Sequence, residues 1–272
     1  MSTTFRPDAG PNPFHDAPAI HKHKACSYCA QFRRTESMHL QRCARCGLAM
    51  YCSKECQQTH WPKHKVECKA TVAQNKDIEA KTGIPHGYTD FLQWVEYYAT
   101  PMKNCMVAAL NLPDFPHQER HSALVIQITH KGDPSLPLQH RFIVDTINRS
   151  NRGDTDDVLA AAVVVQMLES AEMKATIEFG KTEFGQNYYG TAMMMVLAVF
   201  SQSPMISIPT IKCFSIDKSV ASAKVISGPW WPPLRRIFES GTKMKFCCRK
   251  IDSGIGCCCG GWVHQENTTK DT

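Results

Sequence analysis

Eight residues of the kinds that bind zinc lie between positions 26 and 68 of this chain. They form four pairs, each close enough for both side chains to reach one ion: Cys26 and Cys29, Cys43 and Cys46, Cys52 and Cys56, His64 and Cys68. Zinc takes four thiolate or imidazole ligands in a tetrahedron, and structural sites leave no position open. The pattern therefore predicts two closed zinc sites. Spacing alone leaves open whether consecutive or alternating pairs share an ion.

Other uses of these cysteines fit less well. A disulfide framework suits a secreted chain, but the first residues contain no apolar signal-peptide core. A reducing compartment, nucleus or cytoplasm, is therefore expected, and there this pattern favours metal. An iron–sulfur cluster needs four thiolates, which the pair containing His64 does not supply. Because no ligand position is open for water, we expect a structural role rather than zinc-assisted hydrolysis.

Local signals around the later pairs predict two short helices. Ser53 can cap a helix that begins at Lys54. Pro62 suits the first turn of a second helix, on which His64 and Cys68 face the same way. His60 is expected to be a surface or packing histidine. The remaining nearby histidines are expected to bind no metal: His15, His21, His23 and His39.

This segment resembles the MYND-type zinc finger, whose pattern runs CxxC, CxxC, YCxxxCQ, W and HKxxC. The matching residues are Cys26, Cys29, Cys43, Cys46, Tyr51-Cys52, Cys56-Gln57, Trp61 and His64-Lys65-Cys68. The resemblance implies interleaved ligands and a small two-zinc, cross-braced finger. One Zn²⁺ would be held by Cys26, Cys29, Cys52 and Cys56, and the other by Cys43, Cys46, His64 and Cys68.

The resemblance also implies a protein-interaction module that takes up short proline-containing peptides. Such peptides suit a shallow aromatic groove because an extended proline-rich segment has little entropy to lose. Gln57 and Trp61 would border that groove. The alternative is that Trp61 has no binding role and simply packs between the two predicted helices. The chain carries two such segments of its own, Pro134–Leu138 and Pro232–Leu234. Either could dock on the finger, in cis or in a second copy, or could be an ordinary loop.

The net basic charge of the chain lies in the finger. Ten Lys and Arg against three Asp and Glu give +7 between His21 and Ala70, whereas the whole chain is +6. Seven zinc-bound thiolates and two Zn²⁺ reduce the charge of the finger to a modest positive value. Weak nucleic-acid binding is therefore an alternative without a strong case.

Beyond the finger, the sequence predicts an α+β domain over residues 82–245. The first twenty residues, rich in Pro, Asp, Asn and Gly, predict a disordered tail before the finger at 21–70. Tyr188–Ser201 suits a helix or a central strand and is too short to cross a membrane. Periodicity predicts helices over Asp90–Tyr98, Met102–Leu112 and Asp156–Ser170, and strands over Ser122–His130, Arg141–Ile147, Met173–Phe179 and Ile211–Ile216.

The predicted domain at 82–245 carries no recognised catalytic motif, so we do not expect an enzyme, although an active site there is the rival interpretation. SET-domain methyltransferases, some of which contain this finger, are disfavoured. Few residues precede Cys26, no Asn-His dipeptide occurs, and Gly254-Ile255-Gly256 lies near the far end.

Residues 246–272 form a Cys- and Gly-rich segment, predicted to be a flexible tail. It contains Cys247, Cys248, Cys257, Cys258 and Cys259. Three interpretations stay open: free thiols, reversible acylation beside basic residues that would contact anionic lipid, or a third metal site with His264.

Overall fold

A computed structural model describes residues 12–17, 20, 25–30, 40–155, 158–202, 204–226 and 228–242. It shows a small N-terminal finger and a mixed helix and sheet body. The two share one long helix. The predicted tail at 246–272 and its five cysteines lie outside the described residues, as do His21, His23 and His39.

The finger consists of a two-stranded hairpin and the first half of helix α1. Strands β1 (Gln41–Arg42) and β2 (Met50–Tyr51) pair antiparallel. Helix α1 spans Lys54–Thr82, and the Ser53 side chain caps it by accepting a hydrogen bond from the backbone N–H of Cys56. It ends at Gly83, whose left-handed backbone (φ +73°) favours glycine.

The prediction of separate helices on either side of Pro62 is wrong. Pro62 lies inside α1, where its ring removes one backbone hydrogen bond and crowds the preceding turn. Three zinc-ligand positions, Cys56, His64 and Cys68, lie on both sides of this proline. The helix nevertheless continues through the proline, with Cys56 before it in one ligand cluster and His64 and Cys68 after it in the other.

Two further helices lead from α1 into the body. Helix α2 spans Gly87–Tyr97 and α3 spans Ala99–Leu110. Pro101 lies in the first turn of α3, where a missing N–H is tolerated. Both helices contribute to the largest hydrophobic core, which also contains Ile78 from the last turns of α1.

The body is built on a four-stranded sheet in the order β4-β3-β5-β6. The central pair, β3 and β5, is parallel, and both outer pairs are antiparallel. The apolar segment that could have been helix or strand is the long central strand β5, buried along most of its length. The strands are β3 (Ser122–His130), β4 (Phe142–Asn151), β5 (Tyr188–Gln202) and β6 (Met205–Asp217).

Helices α4 (Val158–Leu168) and α5 (Ala171–Phe184) cover one face of this sheet. The prediction of a strand over Met173–Phe179 is therefore wrong. Ser170 caps α5 by accepting from the backbone N–H of Met173, and Gly180 lets the helix approach the side chain of Ser215 on β6. A short stretch with these apolar positions is compatible with the period of a helix or of a strand. These contacts favour the helix.

The two proline segments belong to the body. Pro232 starts helix α7 (Pro232–Ser240), and Leu234 is fully buried in the main core, so this segment is not a ligand for the finger. A short helix α6 (Lys218–Ala221) precedes it. The loop starting at Pro134 is held by Arg141, which donates to the carbonyl oxygens of Pro134 and Leu136 and pairs with Asp90 on α2 at 2.6 Å.

Part of the predicted N-terminal tail is folded onto the body. Phe14 is 1% exposed, and its carbonyl oxygen accepts a hydrogen bond from the backbone N–H of Ile226. The ring of His15 lies 2.9 Å from the side-chain oxygen of Asn104 on α3. The prediction of disorder is therefore wrong for residues 12–17, because one buried aromatic ring and paired backbone groups offset the entropy of ordering them. The N-terminal strap denotes these residues, 12–17, below.

Within the described part of the chain, every helix is too short or too polar to cross a bilayer.

Candidate metal centre

The first metal site joins the start of the finger to the start of α1. The side chains of Cys26, Cys29, Cys52 and Cys56 bring their sulfur atoms within 4.8 Å of one another. The Sγ atoms of Cys52 and Cys56 are 3.4 Å apart, and those of Cys29 and Cys52 are 3.6 Å apart. Only Cys26 is buried, so this site lies near the surface of the finger.

The second metal site lies between the hairpin and the middle of α1. It combines Cys43, Cys46, His64 and Cys68, all of them buried. The Sγ atoms of Cys43 and Cys68 are 4.0 Å apart, and Sγ of Cys46 is 3.5 Å from Nε2 of His64. The structure thus groups the ligands in the interleaved order that the resemblance implied.

These distances fit zinc. Four sulfur ligands at about 2.3 Å from a tetrahedral Zn²⁺ stand about 3.8 Å from one another. The observed separations, 3.4 to 4.0 Å, bracket that value. One site offers four thiols, and the other three thiols and an imidazole, which are the donor sets of structural zinc. The finger holds two Zn²⁺ ions, and they would supply cross-links that replace a hydrophobic core.

The turn between the first two ligands of each site has the same backbone design. The backbone N–H of Ala30 donates to the carbonyl oxygen of Cys26. In the same way, the backbone N–H of Gly47 donates to the carbonyl oxygen of Cys43. Both residues have positive φ, +56° for Ala30 and +71° for Gly47. The close approach of α2 explains glycine at the second turn: a Cβ on Gly47 would lie 2.8 Å from Cγ2 of Thr89.

The protein environment ionises one thiol in each site more readily than others. Burial raises the pKa of Cys26, but hydrogen bonds from neighbouring backbone N–H groups outweigh it, and the pKa falls to about 6. Burial also raises the pKa of Cys43, but backbone hydrogen bonds and a hydrogen bond from the His64 side chain outweigh this effect, and the pKa falls to about 6. Burial and neighbouring thiolate charge instead raise the pKa of Cys68 to about 12. A divalent cation removes this mutual repulsion and allows all the thiols of a site to ionise.

Aromatic rings pack around the second site. The ring of His60 stacks on His64, with centroids 5.9 Å apart, and its Nδ1 lies 3.1 Å from the Tyr51 hydroxyl. His60 is therefore a packing residue and belongs to neither ligand cluster. Trp61 meets the His64 ring edge-on at 6.0 Å and stays half-exposed. Gln57, one turn earlier on α1, is also half-exposed.

Helix α2 fixes the finger to the body at the second site. The Thr89 hydroxyl donates to the carbonyl oxygen of Cys46, and the Gln93 amide donates to that of Gly47. Arg42 on β1 forms an ion pair with Glu96 at 3.2 Å. Asn75, in the second half of α1, bonds both the hydroxyl and the backbone N–H of Thr89. The second zinc site is therefore part of the interface between finger and body.

These anchoring residues were not predicted from the sequence. Gln93 and Glu96 lie within the predicted helix Asp90–Tyr98, which apolar periodicity indicated, and Thr89 lies just before it. Three polar residues at intervals of three and four positions form one stripe, which could have indicated a polar contact face. Nothing in the sequence indicated that the first two of these side chains bind the turn at Cys46 and Gly47.

Comparison with known proteins places residues 26–68 in the MYND finger family. The segment is 49% identical over 47 residues to the human N-lysine methyltransferase SMYD2, covering 17% of this chain and 10% of that protein. It is 44% identical over 54 residues to SET domain and MYND-type zinc finger protein 6 of Schizosaccharomyces pombe, covering 20% and 10%. SET domain-containing protein 14 of Caenorhabditis elegans is 41% identical over 58 residues, covering 21% and 13%.

The matched segment spans about a tenth of the length of these relatives and is confined to the finger and its immediate flanks. No solved structure matches this chain.

Proposed function

We propose that this protein uses its finger to bind short proline-containing segments of other proteins, through the α1 surface that carries Gln57 and Trp61. MYND fingers mediate protein–protein interaction, and this proposal adds the ligand class and the surface. We place the protein in the nucleus or the cytoplasm, where its many thiols stay reduced. The proposal concerns the finger and assigns no activity to the body.

The observation that carries the proposal is the position of the body on the finger. The body contacts the finger at the turn that contains Cys46 and Gly47, and at Arg42 on the hairpin. Trp61 packs within a separate cluster whose members all belong to the finger. Its indole contacts the ring of a zinc ligand, His64, and the residue stays half-exposed. The hydrogen bonds and the ion pair by which the body fixes the finger do not involve Gln57 or Trp61, which supports a binding role for this surface.

The chemistry of this surface suits an extended proline-rich peptide. A rigid, half-exposed indole offers apolar area to a proline ring at little entropic cost. The neighbouring amide of Gln57 can both donate to and accept from the backbone of an extended peptide, whose groups are otherwise solvated.

A peptide-binding measurement tests the proposal. A synthetic peptide with the core Pro-Ser-Leu-Pro-Leu would be titrated against the full chain and against Trp61→Ala. Loss of an interface tryptophan costs about 2 kcal/mol or more, so we expect at least a tenfold weaker Kd. Trp231→Ala, which removes an exposed tryptophan of the body, is the matched control and should leave Kd unchanged.

Zinc content should stay at two equivalents in both variants, which shows that the finger is intact. If Trp61→Ala, with both zinc ions in place, bound the peptide as tightly as the unaltered chain, the proposed surface would be wrong.

A further inference from the structure

From the arrangement of lysines on α1 we infer that the partner segment carries acidic residues on both sides of its proline-containing core. These residues would pair with Lys54 at one end of the groove and with Lys65 and Lys69 at the other. The inference rests on the proposed function and adds a charge requirement to the same site.

The lysines continue the line of the groove along the helix. Lys54, Gln57, Trp61, Lys65 and Lys69 follow one another at intervals of three or four residues within α1. At about 100° per residue, Lys54, Gln57, Trp61 and Lys65 fall within about 80° of one another, and Lys69 lies about 40° further around the helix. A peptide that lies along Gln57 and Trp61 therefore meets a positive charge at each end.

Within the described residues, no salt bridge engages these positive charges. Lys54, Lys65 and Lys69 are exposed, and no carboxylate described in the structure pairs with any of them. Lys81, further along the same helix, shows the alternative, because it pairs with Asp77 at 2.7 Å. The lysines beside the groove are thus available to an external acidic group.

The nearby carboxylates of the helix are engaged or turned away. Glu55 accepts hydrogen bonds from its own backbone N–H and from Ser53 at the helix start, and these bonds, together with the nearby charge of Lys54, lower its pKa. Glu67 is six residues from Trp61, which places it about 120° around the helix. The groove side of α1 therefore presents positive charge, and complementary charge on the partner adds both affinity and orientation.

The spacing of the lysines matches the length of a short peptide. Lys54 and Lys65 are separated by about 16 Å along the helix axis, at 1.5 Å per residue. A polyproline-type peptide rises 3.1 Å per residue, so a core of five residues spans about 16 Å. Acidic residues directly before and after such a core would reach the two ends of the line.

Nucleic acid is the competing ligand for a basic surface, and the geometry favours it less. Proteins that bind DNA electrostatically commonly neutralise about six to ten phosphates. Three lysines interrupted by an amide and an indole offer fewer contacts and no continuous positive track. An acidic peptide is therefore the favoured ligand of this surface.

Two synthetic peptides test the inference, identical except at the flanks of a Pro-Ser-Leu-Pro-Leu core, with Asp-Glu in one and Asn-Gln in the other. At low salt we expect the acidic peptide to bind about five- to tenfold more tightly, since each exposed ion pair adds a modest amount. The difference should vanish in 1 M salt, where the Debye length is about 3 Å. The double variant K65E/K69E should bind the acidic peptide more weakly than the amide peptide.

The matched control is K174E/K218E, which makes the same change in net charge on exposed lysines of the body. It should keep the preference for the acidic peptide. Equal binding of both peptides to the unaltered chain would overturn the charge requirement and leave the proposed function in place. If neither peptide bound, the proposed function would fail, and the inference with it. Tighter binding of a DNA or RNA oligonucleotide than of either peptide, lost in K65E/K69E, would overturn the inference in favour of nucleic acid.

Discussion

The hydroxyl of Thr89 donates a hydrogen bond of 3.1 Å to the backbone carbonyl oxygen of Cys46. Cys46 is a ligand of the buried zinc site, and Thr89 is a buried residue in the first turn of helix α2 in the body. The same hydroxyl accepts a 2.7 Å hydrogen bond from the side chain of Asn75. One buried oxygen therefore connects the metal site, the shared helix α1 and the body.

Replacing this oxygen should loosen the finger from the body. Thr89→Val keeps the shape but leaves the Cys46 carbonyl and the Asn75 amide without their partner, so we expect a loss of about 1–3 kcal/mol in the free energy of unfolding. Urea denaturation followed by tryptophan fluorescence would measure it. Thr59→Val is the control, because Thr59 is exposed on the finger part of α1. A loss at Thr89 no larger than that at Thr59 would contradict the anchoring role.

The two zinc ions should leave the protein in a fixed order. Three ligands of the first site are partly or fully exposed, whereas the second site is buried against the body. A chelator titration with a colorimetric zinc indicator should release the first equivalent while the second stays bound. Among the zinc ligands, alkylation followed by mass spectrometry should then modify Cys29, Cys52 and Cys56 first.

Matched ligand variants sharpen this prediction. Cys29→Ser should retain one zinc equivalent and a folded body. Cys43→Ser should lose the second zinc and also weaken amide-exchange protection in the body, since α1 and α2 meet at that site. Simultaneous release of both ions, or equal effects of the two variants on the body, would contradict the assigned asymmetry.

The N-terminal strap should contribute to the stability of the body. Phe14→Ala removes a fully buried aromatic ring and should cost about 3 kcal/mol or more. Phe179→Ala is the matched control, because that ring is 64% exposed and should change stability little. Thermal unfolding of the two variants would compare them. Equal melting temperatures would show that the N-terminal strap does not hold to the body in solution.

The N-terminal strap should also make stability dependent on pH. Burial lowers the pKa of His15 below its ordinary value of 6.5, although Asn104 and Asp16 act in the opposite direction. The folded protein then binds fewer protons than the unfolded chain, so stability is retained above pH 6.5 and falls as the pH drops below it.

His15→Gln should remove this part of the acid sensitivity. Denaturation at pH 7.5 and at pH 5.5 would give the decrease in the free energy of unfolding for each protein. Protonation of the zinc ligands contributes equally to this decrease in both proteins. The unaltered chain should lose more stability than the variant on acidification. An identical decrease in stability in both proteins would show that His15 does not contribute to the acid sensitivity.

Much of the finger could be predicted from the sequence, and much of the body could not. The eight ligands and the end of α1 at Gly83 follow from local chemistry: donor type, spacing and a residue that tolerates positive φ. The strand at Ser122–His130 has clear alternation and was predicted with the bounds it has. Met173–Phe179 alternates as well, yet it is helical because of Ser170 and the contact of Gly180 with β6.

The sequence by itself determined that the finger folds around two zinc ions, because ligand type and spacing are local and few other structures use them. Only the tertiary structure decided that α1 runs through Pro62, that Phe14 belongs to the body and that α2 anchors the buried zinc site. Those features depend on side chains that meet across long separations in the chain, where packing and the pairing of buried polar groups override local preference.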